Sequence, residues 1–353
     1  MGLFRKDRDL AEPPEKVELE VRASDFQARP EDVAVRLDAF LLRHLTWRSR
    51  SSIQGLIQDG YVFVDAPAPD RPGQSAPAVE RRPSRKLRHG ARVVVVIPEE
   101  LRLPRGACDG SELSVLYEDE EVLAVDKPAG MPVHPSGRHV ADTLIQRVHA
   151  RFRAGHDGLR LPVRLCHRLD LETSGIVLVA KGDRTHAELM RQFENREVEK
   201  EYLALVRGVP EADGGTVELA IGQSRTSAVH LKMACVADGQ PARTTWRVLE
   251  RRADCALVLC RPHTGRQHQI RLHLEAIGHP LVGDKLYGQD EEVFLRAARD
   301  ELTPQDLELL ELDRHALHNH RLSFTSPATG ERREVVSPLA QDLLAYLEAR
   351  ARA

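Results

Sequence analysis

The chain lacks the marks of several large protein classes. Its five cysteines (Cys108, Cys166, Cys235, Cys255 and Cys260) are odd in number, and no two form a C-x-x-C pair. A disulfide framework or zinc knuckle is therefore not expected, and a reducing cytoplasm is. The opening stretch MGLFRKDRDLAEPPEK holds no apolar core of signal-peptide length. Lys6 stands where a myristoylation signal needs Ser or Thr. No apolar run approaches the roughly 20 residues that span a bilayer. G-x-G-x-x-G and P-loop strings are missing, so no nucleotide cofactor is expected. No H-E-x-x-H supports the histidines, and Thr173-Ser174-Gly175 is not set in a G-x-S-x-G elbow.

What is present suits a globular protein of two or three domains: 353 residues, 41% of them hydrophobic. The net charge of -3 argues against a uniformly basic nucleic-acid binder. Its distribution argues the other way. Residues 33–98 hold eleven Lys/Arg against five Asp/Glu, whereas residues 289–313 hold two against nine. Such segregation suggests an anion-binding face with an acidic segment elsewhere.

Residues 1–32 are polar and charged, and are expected to form a largely disordered arm. In 33–98, Leu37, Phe40, Leu41 and Leu45 recur at helical spacing. Ser49 is a plausible N-cap for a second helix with Ile53, Leu56 and Ile57 on one face, and Gly60 sits where such a helix ends. Tyr61–Val64 and Arg92–Ile97 read as strands around a Pro/Ala loop from Ala66 to Pro77. A linker is expected at 99–111. From 112 to 347 strands, loops and helices mix, with strands at Val115–Tyr117, Val122–Val125, Gly175–Ala180, Tyr202–Val206 and Cys255–Cys260. Helices are expected at Thr185–Glu194 and Ala340–Glu348. This pattern predicts an α+β domain with a central mixed or antiparallel sheet and a cleft. The acidic segment 289–313 reads as a helical insertion broken near Pro304.

The strings RLDAFLLRHL, SRSSIQGLIQDGYVFVD and SRKLRHGARVVVVIP resemble the S4 RNA-binding domain. Asp65-Ala66 departs from the Asn-Gly common there. The resemblance implies RNA binding, with Arg48, Arg50, Arg85 and Lys86 as candidate contacts.

Taken alone, Asp170 beside an arginine in a loop would be a surface pair or a turn former. The full string HRLDLETSG changes that weighting, because it resembles the HRLD-x-x-TSG signature of RluA-type pseudouridine synthases. Three further segments resemble that family in order: VLYEDEEVLAVDKPAGMPVHP, FENREVEKEYLALVRG and TGRQHQIRLHLEAIGHPLVGDKLYG. Gln267 stands where Thr is more usual. The resemblance implies that Asp170 is the catalytic carboxylate, Tyr202 the active-site tyrosine and Arg271 the partner of Asp170. It also implies that Arg168, with His167 beside it, fills the space left by a flipped base.

The chemistry requires such groups. Uracil is detached at N1, turned and rejoined to the sugar through C5, with no redox change, so no cofactor and no metal are expected. The carboxylate attacks the sugar or base, or abstracts a proton, in its ionised form. An arginine alongside lowers its pKa by about 1–3 units. Tyr202 is placed to stack on uracil or to take the C5 proton. Bases in duplexes are commonly extruded before reaction. His263, His268 and His273 are spaced by five, which suits neither a strand face nor a helix face for a metal. His318 and His320 share a strand face without a supporting motif. The expected partner is RNA, large-subunit ribosomal RNA first, with the chain acting as a cytoplasmic monomer and no membrane involved. The alternatives are the same activity on transfer RNA, or a non-catalytic RNA-binding protein.

Overall fold

The computed structural model describes residues 15–26, 28–45, 48, 50–65, 78–98, 113–135, 142–154 and 163–352. The candidate N-cap Ser49, the Ala66–Pro77 loop and the 99–111 linker lie outside these residues. The chain divides into two compact units, one from Met1–Glu112 with His134–Pro162, the other from Leu113–Val133 with Val163–Ala353. The expected boundary near the linker is therefore incomplete: the chain returns to the first unit after Val133.

In the first unit β1 (Lys16–Glu20) pairs antiparallel with β6 (Arg92–Val96). This corrects the expectation of a disordered arm over 1–32, of which residues 1–14 lie outside the described ones. Val17 and Leu19 point inward while Lys16, Glu18 and Glu20 face water. Period two is present in the sequence, but a short half-buried strand hides its apolar content among charges. β6 also pairs with β3 (Val62–Asp65), which pairs with β4 (Ala78–Val79). A small ladder joins β2 (Val35–Arg36) to β5 (Lys86–Leu87). The helices α1 (Leu37–His44) and α2 (Arg50–Gln58) supply Phe40, Leu41, Ile53, Leu56 and Ile57 to one core with Val62, Val93 and Val95. Gly60 closes α2 with φ +87°, where a side chain would be strained. A further helix, α3 (Leu144–Ala154), belongs to this unit.

The second unit is built on a long mixed sheet. Its strands are β7 (Ser114–Glu118), β8 (Val122–Lys127), β9 (Arg164–Leu165), β10 (Ser174–Ala180), β11 (Glu199–Arg207), β12 (Gly214–Val217), β15 (Thr244–Arg251), β16 (Cys255–Pro262), β17 (Leu317–Thr325) and β18 (Arg332–Val336). The order is β12-β15-β16-β11-β17-β10-β8-β7, with β18 on β17 and β9 on β10. All pairings are antiparallel except β10 with β17, where Ser174–Gly175 meets His318–Asn319. Gly175 has φ +107°, and a Cβ there would lie 2.3 Å from the Asn319 carbonyl oxygen. That crossing admits only glycine. The helix α4 (Asp183–Glu194) covers Ile176 and Leu178 with Leu189.

A short hairpin of β13 (Ile221–Gln223) and β14 (Met233–Cys235) stands apart from the sheet. It shares a core with Leu272, Leu286 and Tyr287, against which Phe294 and Leu295 pack. Leu272 lies on α5 (Gln269–Ala276), and Phe294 and Leu295 on α6 (Glu291–Ala298). The acidic segment is thus two helices, α6 and α7 (Pro304–Leu310). Pro304 opens α7 at its first position, where its missing N–H costs nothing, and Thr303 and Asp306 form a capping box. Arg296 ties the helices together by a bidentate bond to Asp306, at 2.7 and 2.6 Å. The last helix, α8 (Gln341–Glu348), follows the sheet.

Candidate active site

A cleft of about 1220 Å³ opens within the second unit. Its walls come from the loop before β10, the start of β11, the end of β16 and the start of α5. His167, Arg168, Asp170, Tyr202 and Arg271 all line it, so residues separated by more than a hundred positions meet in one place. Eight Lys/Arg line the cleft against four Asp/Glu, a balance that suits a polyanion. The candidate RNA contacts Arg48, Arg50, Arg85 and Lys86 lie in the other unit.

The Asp170 loop is pinned on both sides. Thr173 N–H donates to the Asp170 carbonyl at 3.2 Å, closing a turn. The Thr173 hydroxyl bonds the His315 ring at 2.7 Å. Glu172 accepts from Lys285 Nζ at 2.6 Å and from the His315 amide at 2.9 Å. From beneath, the fully buried Lys127 donates to the carbonyls of Pro128, Met131 and Leu171. Burial pushes the Lys127 ammonium down to about 7, Arg314 adds to this, and the Asp170 charge opposes it. Three carbonyl acceptors match the three protons of an ammonium and favour its charged form.

Asp170 itself keeps 28% of its side chain exposed to the cleft. Its Oδ2 accepts from Arg271 Nη1 at 3.1 Å, and His268 Nε2 stands 3.9 Å from the same oxygen. Burial raises its pKa, but His268, Arg271 and His315 outweigh that and hold it below the usual carboxylate range. Arg271 is in turn gripped by Asp284: Nε and Nη2 reach its two oxygens at 2.7 and 2.8 Å. Asp284 is buried and also accepts the amides of Leu286 and Tyr287. The Tyr287 ring lies under the Arg271 cation at 4.9 Å. Burial lowers the Arg271 pKa, and Asp284 and Asp170 more than restore it.

Tyr202 is half-buried on β11, and burial, then the Asp170 charge, raises its pKa. It is a neutral phenol at pH 7. Arg168 is exposed at the rim. His167 lies on the same wall, but its Nε2 accepts from the Leu178 amide at 3.1 Å and its ring packs on Phe193. Burial, with Lys200 adding, pushes it down to about 3, so it is neutral and committed to holding the loop against β10.

Asp284 and Tyr287 are site residues that do not stand out in the sequence, although both lie in the GDKLYG string that ends the third family-like segment. Their signal is an Asp and a Tyr three apart after a glycine turn. His268 suggests only a poorly spaced metal ligand in the sequence. Instead its Nδ1 meets the Tyr287 hydroxyl, His263 meets Thr245, and His273 bonds Thr244 and the Leu219 carbonyl. Among the described residues, no group of three His, Cys, Asp or Glu is placed to hold a metal ion.

An ionised carboxylate clamped by arginine thus lies open to a cleft lined with cations, with Tyr202 on the same wall. The family model of RNA pseudouridylate synthases matches residues 121–276. An uncharacterized RNA pseudouridine synthase of Bacillus subtilis, YlyB, is 34% identical over 326 residues, covering 92% of this chain and 97% of that protein. The ribosomal large subunit pseudouridine synthase D of Nitrosomonas europaea is 36% identical, covering 91% of this chain and 86% of that protein. Among solved structures, human RNA pseudouridylate synthase domain containing 1 aligns with a TM-score of 0.51 at 29% identity, over 68% of this chain and 95% of that one. The chain belongs to the RNA pseudouridylate synthase family and is an isomerase acting on RNA.

Proposed function

We propose that this enzyme isomerises specific uridines of large-subunit ribosomal RNA, with Asp170 as the carboxylate that acts on the nucleotide. The observation that carries the assignment is the state of Asp170: ionised, held by one arginine and still reachable from the cleft. Asp170 loosens the C1′–N1 bond, uracil turns in the cleft, and C1′–C5 forms while the C5 proton is lost and N1 regains one. The neutral Tyr202 phenol supplies a ring face for stacking. Its raised pKa speaks against a phenolate base in the resting enzyme. Arg168, exposed at the rim, takes the place of the extruded base. His167 supports that loop from behind.

The ribosomal substrate rests on the relatives named for it, from Nitrosomonas europaea and Pseudomonas aeruginosa. A cytoplasmic site of action follows from that substrate. The first unit, read as S4-like, holds the RNA outside the cleft. Lys86 is exposed and available, whereas Arg85 pairs with Glu80 at 3.2 Å and Arg50 lies 3.7 Å from Asp38. The Arg48 guanidinium donates to Ser52 at 2.9 Å and loses part of its hydration to burial. Mapping pseudouridine in all RNAs of cells with and without the protein tests the substrate. Loss of sites in large-subunit ribosomal RNA, restored by the wild type and not by Asp170→Asn, is expected. Loss confined to transfer RNA would overturn it.

A further inference from the structure

His268 sits in a conformation that needs a reason. Its backbone is left-handed, with φ +58° and ψ 17°, immediately before α5. Such a backbone is uncommon outside glycine and persists where surroundings hold it. The His268 carbonyl accepts the Leu272 amide at 3.0 Å, and its ring is held by Tyr287. Tyr287 Oη is 2.8 Å from His268 Nδ1 and packs edge-on against the ring. The other imidazole nitrogen, Nε2, faces Asp170 Oδ2 at 3.9 Å.

The hydrogen-bond distances favour one tautomer. The Tyr287 oxygen already accepts the Met233 amide proton at 3.1 Å. Its own proton has two candidate acceptors: His268 Nδ1 at 2.8 Å and the Met233 carbonyl at 3.4 Å. The shorter and stronger is Nδ1. Donation there makes Nδ1 the acceptor and puts the imidazole proton on Nε2, pointing at Asp170. The opposite arrangement would aim an Nε2 lone pair at a carboxylate. The titratable groups around the ring are Arg271, Asp170, Asp284 and His315, and burial together with Arg271 pushes His268 down to about 4. At neutral pH it is therefore a neutral, oriented dipole.

We infer that Tyr287 and His268 are positioning residues, with Tyr287 locking His268 so that its Nε2–H points at the carboxylate of Asp170. This rests on the reading of Asp170 as the reacting group. Tyr287 thereby touches both groups that face Asp170, since its ring also carries Arg271. The β13–β14 hairpin is part of the device, because the Met233 amide donates to the Tyr287 hydroxyl and orients it. The 3.9 Å separation is longer than a hydrogen bond. Contacts of this kind commonly tighten only once substrate is bound. His268 Nε2–H then joins Arg271 in stabilising the carboxylate, without adding a second full charge that would blunt it.

The tautomer is tested first on the unmodified protein. Nitrogen-15 NMR of histidine-labelled enzyme is expected to show His268 protonated on Nε2 at pH 7, with Nδ1 a hydrogen-bonded acceptor. Protonation on Nδ1 would overturn the inference whatever the enzyme does with RNA. Two variants then test the role. His268→Gln places an amide N–H near the Nε2 position, whereas His268→Asn places it near Nδ1. The Asn variant is expected to lose about three- to tenfold more kcat than the Gln variant, with KM nearly equal, as one hydrogen bond of about 1 kcal/mol implies. Its acid limb should also move to higher pH, because Asp170 has lost a donor. Equal kcat and equal pH limbs for both variants would sink the idea. If Asp170→Asn retains turnover, the reading of Asp170 fails instead, and the NMR result stands apart.

Discussion

Two stretches of the chain, the loop at 167–175 and the turn at 284–287, each bring a carboxylate to the same guanidinium. They do so in opposite styles. Asp284 is buried and takes two Arg271 bonds and two backbone amides. Asp170 takes one Arg271 bond and keeps over a quarter of its side chain open. A buried carboxylate that accepts four hydrogen bonds is scaffold. A carboxylate anchored by one oxygen, beside empty volume, is available for chemistry. Glu172, on the Asp170 loop itself, falls on the scaffold side, since Lys285 and His315 occupy it.

Asp284→Asn should have the largest effect on stability, because it leaves Arg271 buried with half its partners. Breaking such a pair costs about 3–5 kcal/mol, or a Tm lower by roughly 6–20 °C for a unit of this size. A melting curve within about 2 °C of wild type, on the order of 1 kcal/mol or less, would erase the contrast between the carboxylates. Gly175→Ala comes next, at roughly 2–4 kcal/mol, because its Cβ would strike the Asn319 carbonyl. Denaturant unfolding measures it.

Arg271→Lys keeps a charge but cannot serve two carboxylates with one fork. Asp170 is held below its ordinary pKa, so activity in the wild type persists as pH falls until that lowered value is reached. In the variant burial is less opposed, and the acid limb of kcat should rise in pH. An unmoved limb would count against the pairing. Glu172 is subject to burial, which alone would raise it, yet His315 and Lys285 pull it down to about 2. A depressed carboxyl stabilises the fold above its unfolded pKa of about 4.3 and gives that stability up as pH falls towards 2. Glu172→Gln should therefore flatten the loss of stability across that acid window, measured by thermal melts at stepped pH. The smallest effect is expected from Lys86→Glu. It should reduce the salt slope of RNA binding by about 0.7–0.9 for each phosphate that the protein no longer neutralises.

Much of this site is readable before any fold is known, and the reasons are local. HRLDLETSG carries its own geometry: a turn from Asp170 to Thr173 and a glycine at a crossing that tolerates no side chain. The Asp170–Arg271 pairing could be expected because the family resemblance implies it. Other features are hidden by context. β17 reads LHNHRLSFT and looks polar, yet it is a central strand. His318 bonds Ser174 there and Asn319 Nδ2 donates to the Ile176 carbonyl, so these buried polar groups find partners, Asn319 Oδ1 excepted. β1 is hidden among charges, and Asp284 among the turn residues of GDKLYG, because a clamp is visible only when the far side of the guanidinium is seen. His167 lies inside the motif but faces a backbone amide, which a string of letters does not show.

The central claim is that Asp170 acts on the nucleotide while Asp284 holds the arginine beside it. Tritium release from RNA carrying 5-³H uridine, measured in a single turnover with Asp170→Asn at saturating enzyme, tests it most directly. The account predicts no release above background, with a melting temperature and RNA affinity close to wild type. Release at the wild-type rate would contradict it.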